Sequence, residues 1–255
     1  MPFPRPAYCG LLLIFLLLPL LSQAQRRSQA RNTERALLLD FSYGAFSAAG
    51  DFGDRFGGGY AAGLDAHYLT VGPFQFGLMG RFGFGNVVKE DVLAGLRTEN
   101  GFIIGNQRQP ADIQLRHRHW YGGATVGYTL GFGRNARAGL HLRGGLGYLS
   151  HRVRVQRDPV QTVAALEGPY EAGYDRLTGG PATYFFVGYQ QLALDRRLNF
   201  FIGGEVTAGF TRAQRSFNLS TASVPDDAVR SDLLLGVRAG LILPFYFGEA
   251  SEIYY

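Results

Sequence analysis

Hydrophobic and polar residues alternate with a period of two along most of this chain. In Ser231 to Phe247 the odd positions are Leu233, Leu235, Val237, Ala239, Leu241, Leu243, Phe245 and Phe247. The even positions include Asp232, Gly236, Arg238 and Gly240. Successive side chains of a strand point to opposite faces, so this run predicts one apolar and one polar face. The same alternation predicts strands at Leu37–Tyr43, Tyr60–Tyr68, Phe74–Phe84, Trp120–Phe132, Leu140–Tyr148 and Leu198–Phe210. An eighth, Thr183–Leu194, has an ambiguous phase that leaves room for a bulge.

Two architectures fit such a pattern. A soluble barrel or sandwich turns its apolar face inward, and a membrane barrel turns it to lipid. The polar face here is mostly Gly, Ser and Thr with few charges, a poor coat against water and a good filling for a narrow tube. Phe74, Trp120, Phe132, Tyr148, Phe245 and Phe247 fall near strand ends, as interfacial aromatic girdles require. The connections alternate in length. Gly50–Gly58 is of medium length, and 87–115, 156–180 and 213–230 are long. Gly72-Pro73, Gly133–Arg137 and Asp195–Arg197 are short. The reading preferred is all-β: a closed antiparallel transmembrane β-barrel of about eight strands, with both termini on the periplasmic side and the long loops outside.

Composition supports a closed sheet. The 255 residues include 36 glycines, 14% aromatics and only 18% charged residues, against about 25% charged in ordinary domains. The net charge is +5, and Lys89 is the sole lysine. The cationic character therefore comes from arginine, either for contact with anionic head groups or from compositional bias. Residues 1–24 read as a secretory signal: Arg5, then an apolar Gly10–Leu21, then Ser22-Gln23-Ala24 as a cleavage site. The run is shorter than the ~20 residues of a spanning helix. Cys9 precedes it, which argues against a lipid anchor. Residues 25–35 read as a flexible lead-in, 36–247 as the barrel and 248–255 as a periplasmic tail.

These features resemble the superfamily of small bacterial outer-membrane barrels of OmpA-like and OmpX-like architecture over residues 36–247. The likeness rests on strand pattern, loop rhythm and an aromatic final strand. Val88–Leu93, Gly173–Leu177 and the ending Glu252-Ile253-Tyr254-Tyr255 look like one family within that group, from which only outer-membrane location and fold follow. Such barrels usually end on a terminal aromatic. Here Phe247 takes that part and Gly248–Tyr255 continue beyond it.

Three places carry candidate chemistry. Asp40, Asp65, His67, Arg81, His141, Arg143, Glu205 and Arg238 share the polar phase and point into the tube. They form either a structural ion-pair plug or, alternatively, a path for protons or small solutes. The segment Arg116-His117-Arg118-His119 lies beside Trp120 near the outer rim and reads as lipid head-group contact. Two histidines without a third ligand are weak evidence for metal. In the outer loops, Asp158-Pro159 predicts a helix over Pro159–Glu167 stopped by Gly168-Pro169, and a second is predicted near Glu90–Leu96. Ordered loops would bind a partner or cap the barrel.

No Gly-x-Ser-x-Gly elbow, phosphate-binding loop or His-Glu-x-x-His occurs. Only Ser150 and His151 point toward a barrel-embedded lipid-modifying enzyme. The leading expectation is a non-enzymatic structural or partner-binding subunit of the envelope, without cofactor or nucleic acid. Its partners would be outer-membrane lipids and other envelope proteins. A narrow channel or transporter is the alternative.

Overall fold

The computed structural model describes residues 32–194 and 198–247. The predicted signal, most of the lead-in, the centre of the turn at 195–197 and the tail beyond Phe247 lie outside the described residues. Eight strands follow one another: β1 (Arg35–Ala49), β2 (Gly59–Leu69), β3 (Phe74–Gly85), β4 (Gln114–Phe132), β5 (Asn135–Gln156), β6 (Thr178–Leu192), β7 (Asn199–Ala213) and β8 (Arg230–Phe247). Each pairs antiparallel with its sequence neighbours, and β1 pairs with β8. The chain is thus a closed transmembrane β-barrel without a free edge, which satisfies the backbone inside lipid. No helix among the described residues is long and apolar enough to cross a membrane.

The exterior carries the apolar phase. Phe41, Leu64, Leu78, Val126, Leu146, Phe185, Ile202 and Leu241 are exposed, and the named girdle aromatics all lie on this outer surface. Rings pair at both rims: Tyr43 with Tyr60 at 5.8 Å and Trp120 with Tyr148 at 5.9 Å toward the long loops, Phe74 with Tyr128 at 5.2 Å toward the termini. From Trp120 to Phe132 strand β4 rises about 40 Å at ~3.3 Å per residue, which is about 30 Å of height at the tilt of such strands. That matches the hydrocarbon thickness of a bilayer. The architecture is that of a small outer-membrane barrel.

Strand β6 has no bulge. Its pairing with both neighbours runs in constant register. Its phase looked ambiguous because Tyr184 and Phe186, apolar by type, point into the tube, while Phe185, Val187 and Tyr189 face out. The register shift lies instead between Gly131 and Phe132, at the short β4–β5 turn.

Both predicted loop helices are absent as such. Asp158 Oδ1 does accept from the Val160 and Gln161 amides at 2.7 and 3.1 Å. The next carbonyl is then taken by another loop: the Asn106 amide donates to Thr162 O at 2.8 Å. Only a 3-10 turn at Ala164–Leu166 forms, and Gly168-Pro169 opens a second one, Gly168–Gly173, rather than ending a helix. Near Glu90 there is likewise only Ala94–Leu96. The α-helix that does form, α1 (Gly50–Arg55), lies in the β1–β2 loop and buries Phe52, with Phe56 buried just after it.

The lead-in also differs from expectation where it is described. Asn32 is buried, and its amide donates to Leu192 O at 2.6 Å. Arg137 donates to Glu34 O, Thr33 O and Thr70 O at 2.6–3.0 Å. These bonds tie the chain's entry across the mouth of the barrel at the terminal end.

Candidate functional site: the filled lumen and its rim

The eight lumenal residues predicted from alternation all lie inside the tube, on β1, β2, β3, β5, β7 and β8, and join one network. Arg143 donates to Asp40 Oδ2 and to Asp65 Oδ2, each at 3.1 Å. Arg238 donates to Asp65 Oδ2 at 3.0 Å, and its Nε lies 3.3 Å from Glu205 Oε2. Arg81 donates to the same Glu205 oxygen, as does the Tyr184 hydroxyl at 3.0 Å. Three arginines thus face three carboxylates across the barrel. Isolated charges in a dry interior are very costly, and mutual neutralisation is what permits them there. Phe201, Phe186 and Tyr184 surround Arg238 at 4.9–5.6 Å, giving its guanidinium aromatic faces as well.

The two histidines continue the network toward the terminal end. His67 Nδ1 lies 3.3 Å from Asp40, and its Nε2 shares a hydrogen bond with Thr125 Oγ1 at 3.0 Å. His141 bonds Thr129 at 2.9 Å and accepts from Arg143 Nε at 3.3 Å. Gln75 and Gln190, joined at 3.1 Å, complete this level. Asp40, Asp65 and His67 bring three ligand-type atoms within 4.8 Å of one another. Arg143 and Arg238 hold the Oδ2 atoms of both carboxylates and neutralise their charge, so the geometry is that of an ion-pair plug.

Toward the long loops the filling changes character. His117 and His119 are buried in the lumen, their rings 6.1 Å apart and against Phe46, Phe52 and Phe56. Their assignment to lipid head groups is therefore corrected: on a strand whose even positions face lipid, the odd ones face inward. Room for them comes from across the pair, since a Cβ on Gly83 would sit 1.8 Å from the His119 ring and one on Gly85 2.2 Å from that of His117. The other members of that predicted set, Arg116, Arg118 and Trp120, are on the exterior.

Ser150 and His151 are consecutive on β5 and so point to opposite faces. His151 enters the lumen and donates to Asp232 Oδ2 at 2.7 Å, an oxygen shared with the Thr211 hydroxyl at 2.6 Å. Phe52 and Phe56 pack on its ring at 5.0 and 5.7 Å. The two residues that pointed to a lipid-modifying enzyme are thus not brought together. The Asp232 and Thr211 partners of His151 were missed. Their signal is their place in the inward phase of β7 and β8.

The fold is similar to that of Ail of Yersinia pestis, with 11% sequence identity, 82% of this chain and 99% of that chain covered, and a TM-score of 0.41. It is also similar to Neisserial surface protein A, with 12% identity, coverage of 84% and 97%, and a TM-score of 0.44. OprG of Pseudomonas aeruginosa is a third, with 13% identity, coverage of 84% and 98%, and a TM-score of 0.37. No protein-family model matches the chain, and no curated protein matches it.

Proposed function

We propose that this outer-membrane barrel is a non-enzymatic structural or partner-binding subunit of the envelope. Its tube is a closed support, and its long-loop end is the working surface. The observation that carries this is the filled lumen. From the bonds of Asn32 and Arg137 at the terminal end, through the arginine–carboxylate network, to Phe52 and the histidines, side chains and their partners fill the tube. An eight-stranded barrel is only wide enough to be filled in this way.

The loops at the far end are built as a platform. The β3–β4 and β5–β6 loops are joined by the Asp112 amide donating to Asp158 at 3.0 Å. Arg55 reaches Glu90, Thr178 and Arg176 O at 3.1–3.3 Å. A cleft of about 630 Å³ opens among these loops, with Arg55, Lys89, Arg176, Arg215, Asp54 and Glu90 in its walls. Its mixed charges suit a polar protein surface. Both termini face the periplasm and the long loops face out, a reading supported by the regular alternation of loop lengths.

Two measurements test this. Planar bilayers holding the purified protein stay electrically silent, and a steady unitary conductance would favour the channel reading. Mild crosslinking in the native host followed by purification recovers an envelope protein in fixed ratio. Recovery of the barrel alone overturns the partner-binding role.

A further inference from the structure

Strands β4 and β5 are long and carry two short alternating arginine runs at the long-loop end: Arg116-His117-Arg118 and Arg152-Val153-Arg154. In both strands the even positions face outward there. The antiparallel register sets Arg116 opposite Arg154 and Arg118 opposite Arg152. Directly opposed side chains on one face have Cβ atoms about 5 Å apart, and like charges so placed repel. Four guanidinium groups therefore form a two-by-two array on the exterior.

Little within the protein neutralises this array. Among the described residues no carboxylate pairs with Arg116, Arg118 or Arg154. The Asp175 carboxylate comes no closer to Arg152 than 3.9 Å, and it is already gripped by Arg215, whose Nε lies at 2.9 Å. Arg116 donates to Gln114 at 3.1 Å and Arg118 to the His117 carbonyl at 2.8 Å. Both contacts orient a guanidinium without cancelling its charge. This differs from Arg81, Arg143 and Arg238 in the lumen, each of which meets a carboxylate.

Position adds the second argument. Trp120 and Tyr148 form the aromatic girdle on these same two strands. Arg118 lies one outward-facing position beyond Trp120, about 7 Å further along its strand, and its register partner Arg152 lies two outward-facing positions beyond Tyr148. Allowing for tilt, this pair sits about 5 Å above the level of Trp120 and Arg116 and Arg154 about 10 Å above it, the depth of the polar head groups. Guanidinium forks match phosphate oxygens in pairs.

We infer that Arg116, Arg118, Arg152 and Arg154 form a binding site on the barrel wall for a membrane lipid whose head group carries more than one phosphate. Its acyl chains lie along Trp120, Tyr148 and Leu146. A free anion gains nothing from that apolar wall, whereas a lipid engages the wall and the array together. The site rests on the membrane position of the barrel and not on the partner-binding role proposed above.

The test is native mass spectrometry of the full detergent-solubilised protein, titrated separately with diphosphoryl lipid A, phosphatidylglycerol and phosphatidylcholine. Diphosphoryl lipid A is expected to bind at least about tenfold more tightly than either other lipid, given about fivefold per arginine near a charged surface. The variant R116Q/R118Q/R152Q/R154Q is expected to lose at least about tenfold of that affinity, while R134Q, at the opposite end of the barrel, retains it. A heat-dependent shift in gel mobility verifies that each variant is folded. Should the quadruple variant prove misfolded, the pairs R116Q/R154Q and R118Q/R152Q give the same reading, each expected to weaken binding severalfold. Unchanged affinity in folded variants overturns the site. Equal affinity for phosphatidylglycerol overturns the requirement for several phosphates. Displacement of the lipid by inorganic phosphate at equal concentration reassigns the array to free anions.

Discussion

Arg143 donates to two carboxylates at once, and its guanidinium is almost wholly out of contact with solvent. Replacing it by Gln leaves Asp40 with His67, and Asp65 with Arg238, but removes the one cation that joins the two. Breaking a buried pair from one side typically costs about 3–5 kcal/mol, because a charge is left without compensation. The urea midpoint of Arg143→Gln refolded into lipid vesicles is expected to fall accordingly. Exposed Arg134→Gln is expected to shift stability by no more than about 0.5 kcal/mol. A midpoint for Arg143→Gln equal to the parent's would refute the plug as a stabilising device. At this scale much was legible from the sequence, since a period of two assigns each charged residue to a face. The error over His117 and His119 came from reading Arg116–His119 as a cationic block. The outward Trp120 already fixed the phase, and Gly83 and Gly85, which make room for the two rings, lie on another strand whose register only the fold supplies. Arg152 and Arg154 were passed over for the complementary reason: their significance comes from the register with β4.

At the scale of elements, the strands were legible and the loops were not. Eight alternating segments forecast eight strands, because a closed sheet in lipid leaves each residue only two environments. A loop segment has no such constraint, and neighbouring segments compete for its backbone. The cap at Asp158 is the instructive case: the sequence signal for a helix start is real and the helix is not, since Thr162 pairs with the β3–β4 loop instead. Helix α1 was invisible because six residues rich in Gly and Asp show no helical period; burial of Phe52 in the mouth of the barrel holds it. The Asp158 carboxyl also gives a pH prediction. Amides of Asp112, Val160 and Gln161 bond its charged form and hold its pKa below the ordinary 3.8. A depressed carboxyl contributes stability that is present above about pH 4 and is lost as pH falls through the lowered value. Hydrogen exchange at residues 105–113 and 158–163 is therefore expected to quicken, relative to the intrinsic rate, on acidification below pH 4. Asp158→Asn, which cannot titrate, is expected to flatten that response. An acid response of equal size in the variant would assign it to another group.

The molecule as a whole is an inversion of a soluble barrel, and the inversion can be measured. Its interior holds Arg81, Arg143 and Arg238, the carboxylates of Asp40, Asp65, Glu205 and Asp232, and all five histidines, whereas its outer wall between the girdles is apolar. If that wall meets acyl chains, the cost of a charge on it depends on height and not on exposure. Val126 lies midway between Trp120 and Phe132 on β4 and is 50% exposed. Val224, in the β7–β8 loop, is 74% exposed. Ordinary surface reasoning ranks Val224→Arg and Val126→Arg as equally harmless, since both sites are open. In a bilayer the first is expected to be close to neutral and the second to cost about 2–4 kcal/mol, the usual penalty for arginine at the midplane on the lipid face of a barrel. Unfolding both variants from vesicles of increasing acyl-chain length separates this from any local packing effect. The Val126→Arg penalty should grow with chain length as the residue sits further from either head-group layer, while the Val224→Arg value should not move. Equal and small effects from both substitutions, at every chain length, would mean that the wall of this barrel faces water.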